Sequence, residues 1–144
     1  MIADNLVQAD LITKLKSITS VTNVLGDGIL GVKELEWQGD SFTYPCVRLD
    51  LEDVGYEFDE QENCGLYFCE FSIYTFSQER SSKQCSQIKG LLETALTGLG
   101  FSGMYTKFNR LRLVDSVPAV REDSRTWRTQ LKYRSRITAL PTIP

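Results

Sequence analysis

The side chains of this sequence that could do chemistry are carboxylates, thiols and guanidinium groups, because it contains no histidine. Histidine is the commonest general base near neutral pH, so neither a Ser/His/Asp nor a Cys/His arrangement can be written. The carboxylates gather between Asp50 and Glu62, where Glu57, Asp59, Glu60 and Glu62 run with no base among them. Placed at a hairpin tip, they lie in solvent rather than in a pocket that could raise the pKa of one acid for proton transfer. Their spacing matches no calcium loop. The expectation is a protein without catalytic residues, metal or cofactor.

Four cysteines, Cys46, Cys64, Cys69 and Cys85, could form two disulfides. The start Met1-Ile2-Ala3-Asp4-Asn5 has neither the basic residues nor the apolar stretch of a secretory signal, which predicts a cytosolic chain with reduced thiols. Cys64 and Cys69 are too far apart for a CxxC pair, and zinc sites usually recruit histidine or a second close pair. Small thiols inside strands and a helix are the plainer reading. Gly26, Gly28, Gly31 and Gly39 lack the Lys-Ser/Thr pair that follows a phosphate-cradling loop, so they read as turn makers. The remaining candidates are the bases Arg128, Lys132, Arg134 and Arg136, which alternate along the last predicted strand.

The elements that must position these groups are legible from periodicity. Val7, Leu11, Leu15 and Ile18 recur at steps of four, four and three, which predicts a helix with one buried face, Asp4 and Asn5 being the candidate caps. A short strand is expected around Ile29 to Trp37. Tyr44-Pro45 biases the chain toward extended geometry before Cys46 to Val54, where Val47, Leu49 and Leu51 alternate with Arg48, Asp50 and Glu52. That pattern predicts a strand with one wet face. After the acidic tip, Leu66 to Phe76 resumes as its antiparallel partner, with Tyr67, Cys69, Phe71 and Ile73 on one side. Ser77 is then a candidate cap for a helix carrying Ile88, Leu91, Leu92, Ala95, Leu96 and Leu99, ended by Gly98 and Gly100.

The last third returns to strands. Leu111, Leu113 and Val117 suggest one, and Pro118 marks it as an edge or a bulge because proline cannot donate to a ladder. Glu122-Asp123-Ser124 predicts a turn. Beyond it Trp127, Leu131, Tyr133 and Ile137 alternate with Arg128, Gln130, Lys132, Arg134 and Arg136, which would place four cations on the exposed face of one strand. The fold expected is α+β, a mainly antiparallel sheet with two helices packed on one face. With 144 residues and 42% hydrophobic content, one domain spanning 1–144 is expected. Its apolar runs fall far short of the roughly 20 residues that cross a bilayer, so no membrane association is expected.

Charge is divided along this order. Residues 1–79 hold 15 acids and 4 bases, residues 80–144 hold 12 bases and 4 acids, and the chain nets −3. Three arrangements account for it: acidic and basic strands neutralising each other within one sheet, an acidic patch meeting a basic patch on the next subunit, or a nucleic-acid footprint. Against the last, Trp127 and Tyr133 alternate onto the face opposite the bases, so they cannot stack on nucleobases that the arginines hold.

Several segments together resemble one known family. Tyr44-Pro45 leading into Val47-Arg48-Leu49, the strand Phe71-Ser72-Ile73-Tyr74, the helix with Ile88, Leu91, Leu92 and Leu96, and the final run Trp127 to Tyr133 look like the tail terminator family of tailed bacteriophages (tail completion, minor tail protein U-like). The resemblance runs from Leu6 to Ile137. It implies a structural virion protein that assembles into a hexameric ring at the head-proximal end of the tail tube, stops tail polymerisation and joins tail to head. The implied partners are further copies of itself, the tail tube protein and the head-tail connector or neck proteins. Genome DNA would pass through the lumen without sequence-specific binding. Assembly would take place in the host cytoplasm, and the family supplies no catalytic residues or cofactors. A head-tail connector subunit is the alternative within the same particles, and a small nucleic-acid-binding domain the alternative outside them. Glu57, Asp59, Glu60 and Glu62 on one side and Arg128, Lys132, Arg134 and Arg136 on the other are the expected contact residues.

Overall fold

The computed structural model describes residues 3–37, 43–56 and 67–141. The stripe of Val7, Leu11 and Leu15 winds helix α1, Asp4–Lys16, and all three side chains are buried. Packing of that face stabilises a helix whose length alone would leave it marginal in water. Ala3, rather than Asp4 or Asn5, takes the N-cap position, and its carbonyl accepts from the N–H groups of Leu6 and Val7. Asp4 lies in the first turn, where the helix dipole favours a carboxylate.

One further turn, α2 (Thr19–Thr22), and a 3-10 turn over Gly28–Gly31 lead into the short strand β1, Val32–Glu34. The strand expected around Ile29 to Trp37 is therefore shorter, because Gly28 at φ +59 lets the chain before it coil. Strand β2, Cys46–Tyr56, pairs parallel with β1 and antiparallel with β3, Tyr67–Ser77. The Tyr44–Pro45 peptide bond before β2 is cis.

Helix α3, Lys83–Leu96, follows, then β4 (Phe101–Ser102), β5 (Thr106–Phe108), β6 (Arg112–Arg121) and β7 (Trp127–Ala139). The seven strands run in the order β1-β2-β3-β7-β5-β4, with β6 also on β7. β7 is long enough to serve two neighbours on one side. β3 lies along one of its edges, while β6 and then β5 share the other. The result is the expected α+β architecture, antiparallel except at β1–β2.

Side chains of paired residues share a face, so Leu49, Ile73 and Leu131 form one row across three strands and Leu51, Phe71 and Tyr133 the next. Phe71 and Tyr133 stack at 5.8 Å. These rows join Val7, Leu11, Ile88, Leu92 and Leu96 in a single apolar cluster, which puts α1 and α3 on the same face of the sheet.

Three local expectations are corrected. Ser77 ends β3 instead of capping a helix: α3 begins at Lys83 behind Ser82, and the Ser77 hydroxyl donates to Gln84 Oε1 at 2.6 Å. Arg48 is not on a wet face but buried, its Nη1 donating to the carbonyls of Gly31 and Val47 at 2.9 Å while its guanidinium lies over Trp37. The segment entering β1 covers that part of the sheet. Of the four cations expected on an exposed face, Arg128, Lys132 and Arg134 are half-buried and only Arg136 is exposed, because β3 and β6 flank β7 and bring their own side chains beside it.

The turn and bulge readings hold. Gly98, at φ +79, turns the chain out of α3 and donates its N–H to the Leu111 carbonyl at 2.8 Å. Pro118 sits in β6 within a register shift between Val117 and Val120. In the turn before β7, the Asp123 carboxylate accepts from the N–H groups of Arg125 and Thr126 at 2.8 and 2.9 Å. Cys46, Cys69 and Cys85 are free and buried, whereas Cys64 lies outside the described residues. No helix among the described residues is long and apolar enough to cross a membrane.

One buried charge has no counterpart in these expectations. Asp10 lies on the core side of α1, 4% exposed, and accepts from the N–H groups of Met104 and Tyr105 at 2.9 and 3.0 Å. It thereby ties α1 to the turn between β4 and β5. Gly103 makes room for it, since a Cβ there would come within 2.6 Å of Asp10 Oδ1.

Candidate functional site

The sheet face turned away from the helices carries the polar half of each strand's alternation. Glu70, Arg134 and Arg112 are direct partners across β3, β7 and β6, and beside them lie Asp50, Ser72, Lys132 and Asp115. A bulge in β2 between Leu51 and Asp53 leaves Glu52 out of the ladder. Its carboxylate accepts from the Ser72 hydroxyl and takes Lys132 Nζ at 3.0 Å. Gln130 Nε2 also donates to Ser72 Oγ, at 3.0 Å. Glu70 binds Arg134 at 2.5 Å and stands 3.8 Å from Lys132, while Arg134 lies over the Phe68 ring at 4.1 Å. Lys132 is held above the ordinary lysine range chiefly by its hydrogen bond and attraction to Glu52.

This network places two of the predicted basic residues, Lys132 and Arg134, in contact with acids of their own subunit. Arg128 likewise pairs with Glu122 at 3.2 Å. The acids involved are Glu52, Glu70 and Glu122, each close in register or across a turn. Glu57, Asp59, Glu60 and Glu62 lie outside the described residues. Such half-exposed pairs help to set register and contribute little beside the core.

Two grooves flank this face. On the β7 side, Asn109, Arg110, Arg112, Arg134, Ser135 and Arg136 line a cavity of about 440 Å³. It forms where the chain leaves β5 and enters β6, with the Ser135 hydroxyl bonded to the Asn109 carbonyl at 3.0 Å. Arg110 and Arg112 escape a reading by alternation, because they belong to the connection and the first residue of an edge strand. Beside β1 and β2, Asp4 and Gln8 of α1 meet Glu34, Leu35, Glu36 and Asp50 in a groove of about 210 Å³. Burial raises the Asp50 pKa, and the carboxylates of Glu52 and Glu36 raise it further.

The three described thiols are buried. Burial pushes Cys69 up to about 12, and Cys46 and Cys85 are raised for the same first reason. Cys85 Sγ donates to the Thr75 carbonyl at 3.1 Å. Among the described residues no group of three or more Cys, Asp or Glu is placed to hold a metal ion. What the arrangement offers is charge over a broad surface, which suits contact with macromolecules.

No protein-family profile matches the chain, and no curated protein matches it. Among solved structures it is similar to a chain of "Virion of native gene transfer agent (GTA) particle", with a TM-score of 0.69. The chain shares its fold with a virion component. The likeness covers 91% of this chain and 93% of that one at 18% sequence identity, so what the two have in common is the order and packing of elements.

Proposed function

We propose that this protein is a structural component of a phage-like virion, and within it a tail terminator: a ring of identical subunits at the head-proximal end of the tail tube. The observation that carries the reading is fold likeness to a chain of a gene transfer agent particle over nearly the whole of both chains. The tail-terminator resemblance of the sequence supplies the position. The ring ends tail polymerisation because its lower face matches the tube while its upper face does not regenerate that acceptor surface. Tail tube protein on one side and neck proteins on the other are its partners, and the genome passes through the lumen without sequence-specific binding.

The acidic segment Glu57, Asp59, Glu60 and Glu62 and the basic residues Arg128, Lys132, Arg134 and Arg136 contribute to the contacts in this reading. Glu52, Glu70 and Glu122 hold three of those bases in defined directions, which suits preorganised contacts better than a loose electrostatic patch.

The test is twofold. Light scattering across a concentration series, followed by negative-stain imaging, is expected to give a closed ring. Particles assembled without this protein are expected to carry tails of unregulated length and no joined heads. Tails of normal length in its absence, with heads attached, would refute the terminator role.

A further inference from the structure

Two grooves of opposite sign lie apart on the sheet, one beside β6 and β7 and one beside β1 and β2, and each concentrates one sign of charge. Arg112 and Arg134 are direct cross-strand partners, an unfavourable pairing of like charges, and Arg110 and Arg136 line the same cavity. Glu70 answers Arg134 from the far side of β7. At the β1 end, Asp4, Glu34, Glu36 and Asp50 crowd around Leu35, which is 40% exposed. Burial raises the Asp50 pKa first, and the nearby carboxylates of Glu52 and Glu36 raise it further. They surround an apolar centre and form no cation cage.

We propose that the arginine groove of one copy receives the acidic groove of the next copy. The inference rests on the ring reading above and assigns its subunit contact to residues. Guanidinium groups match carboxylates in a planar, bidentate way, and their aliphatic stems can cover Leu35. Because the two grooves lie on different flanks, the contact is heterologous and each subunit keeps one free groove for a further copy until the ring closes. A second copy is favoured over a nucleic acid because the same chain carries the complementary surface. Its net charge of −3 also gives a polyanion no general attraction.

Two variants test this, Arg110→Glu/Arg112→Glu and Glu34→Lys/Glu36→Lys, with the fold of each checked by circular dichroism. Each variant alone sets like charges against each other and is expected to need roughly a hundredfold higher concentration to assemble. An equimolar mixture is expected to assemble near the wild-type concentration, since the reversed grooves then meet each other and the native grooves do likewise in alternation. The milder pair Arg112→Gln and Glu36→Gln should weaken assembly in the same direction and stands in if a reversal misfolds. If both reversed variants assemble as wild type does, the grooves are not the contact, and the ring survives without them. Wild-type protein that stays monomeric at every concentration removes the ring and this contact together. A fluorescent DNA duplex bound by wild type and released by Arg110→Glu/Arg112→Glu, with assembly unchanged, would hand the arginine groove to nucleic acid.

Discussion

Replacing Asp10 tests how the fold holds α1 to the β4–β5 turn. The carboxylate is 4% exposed and accepts two backbone hydrogen bonds, from Met104 and Tyr105. Hydrogen bonds to a charged group contribute about 1.5–3 kcal/mol each. Met104 is 76% exposed, so water can reach the turn when the carboxylate is gone and the lower end of that range applies. Asp10→Ala is therefore expected to lower stability by about 3 kcal/mol. Asp10→Asn should recover less than half of this, because its amide NH2 would face one of the two N–H donors.

Gly103 is coupled to the same carboxylate. A Cβ there lies in the space of the Asp10 carboxylate, so Gly103→Ala should displace it and forfeit much of the same interaction. With Ala at position 10 that space is open, and the second substitution should cost little. The expected coupling between the two sites is at least about 1 kcal/mol. Urea unfolding followed by tryptophan fluorescence and circular dichroism, with all four proteins in one buffer, measures it. Additive costs, or an Asp10→Ala variant within about 0.5 kcal/mol of wild type, would refute the view that this carboxylate is a structural tie.

Three further outcomes follow from the polar face, the thiols and the last turn. Glu70→Gln should cost roughly 0.5–1 kcal/mol at low salt and less at high salt, because it removes a half-buried acid shared by Arg134 and Lys132; a loss independent of salt would contradict the ion-pair account. In a Cys64→Ser background, Cys46, Cys69 and Cys85 should resist a thiol reagent in native protein at pH 8 and react after denaturation. With Cys69 pushed up to about 12, its thiolate fraction there is on the order of one in ten thousand, and fast native labelling would contradict its burial. Asp123 is held below the ordinary carboxylate range first by the backbone N–H of Arg125, so its contribution is complete above the unfolded value of 3.8 and is lost as pH falls through the lower folded value. Asp123→Ala should accordingly flatten the stability–pH curve in that acid window, and an unchanged curve would count against the turn.

Much of the fold was legible because local periodicity reports which side of an element is apolar. The stripe of α1, the alternation of β2, β3 and β7, and the apolar face of α3 all follow from that rule and all meet in one core. Ser77 misled because a serine before a helical stripe is a capping signal only when the helix starts there, and β3 runs on through it. Asp10 was invisible because its place between Val7 and Leu11 makes sense only with a turn 94 residues away. The pattern of charges along β7 was legible, but the partners of those charges were not, since pairing is decided by which strands lie beside it.

By itself the sequence determined an α+β chain with no histidine, an acidic first half and a basic second half, and strands whose two faces differ. Side-chain period and composition are local properties, so no neighbour is needed to read them. The tertiary structure decided that β7 is central, that Lys132, Arg128 and Arg134 answer to Glu52, Glu122 and Glu70, and that Arg110 and Arg112 join Arg134 and Arg136 in one groove. Register and sheet order bring together residues distant along the chain, and electrostatic energy depends on their separation in space.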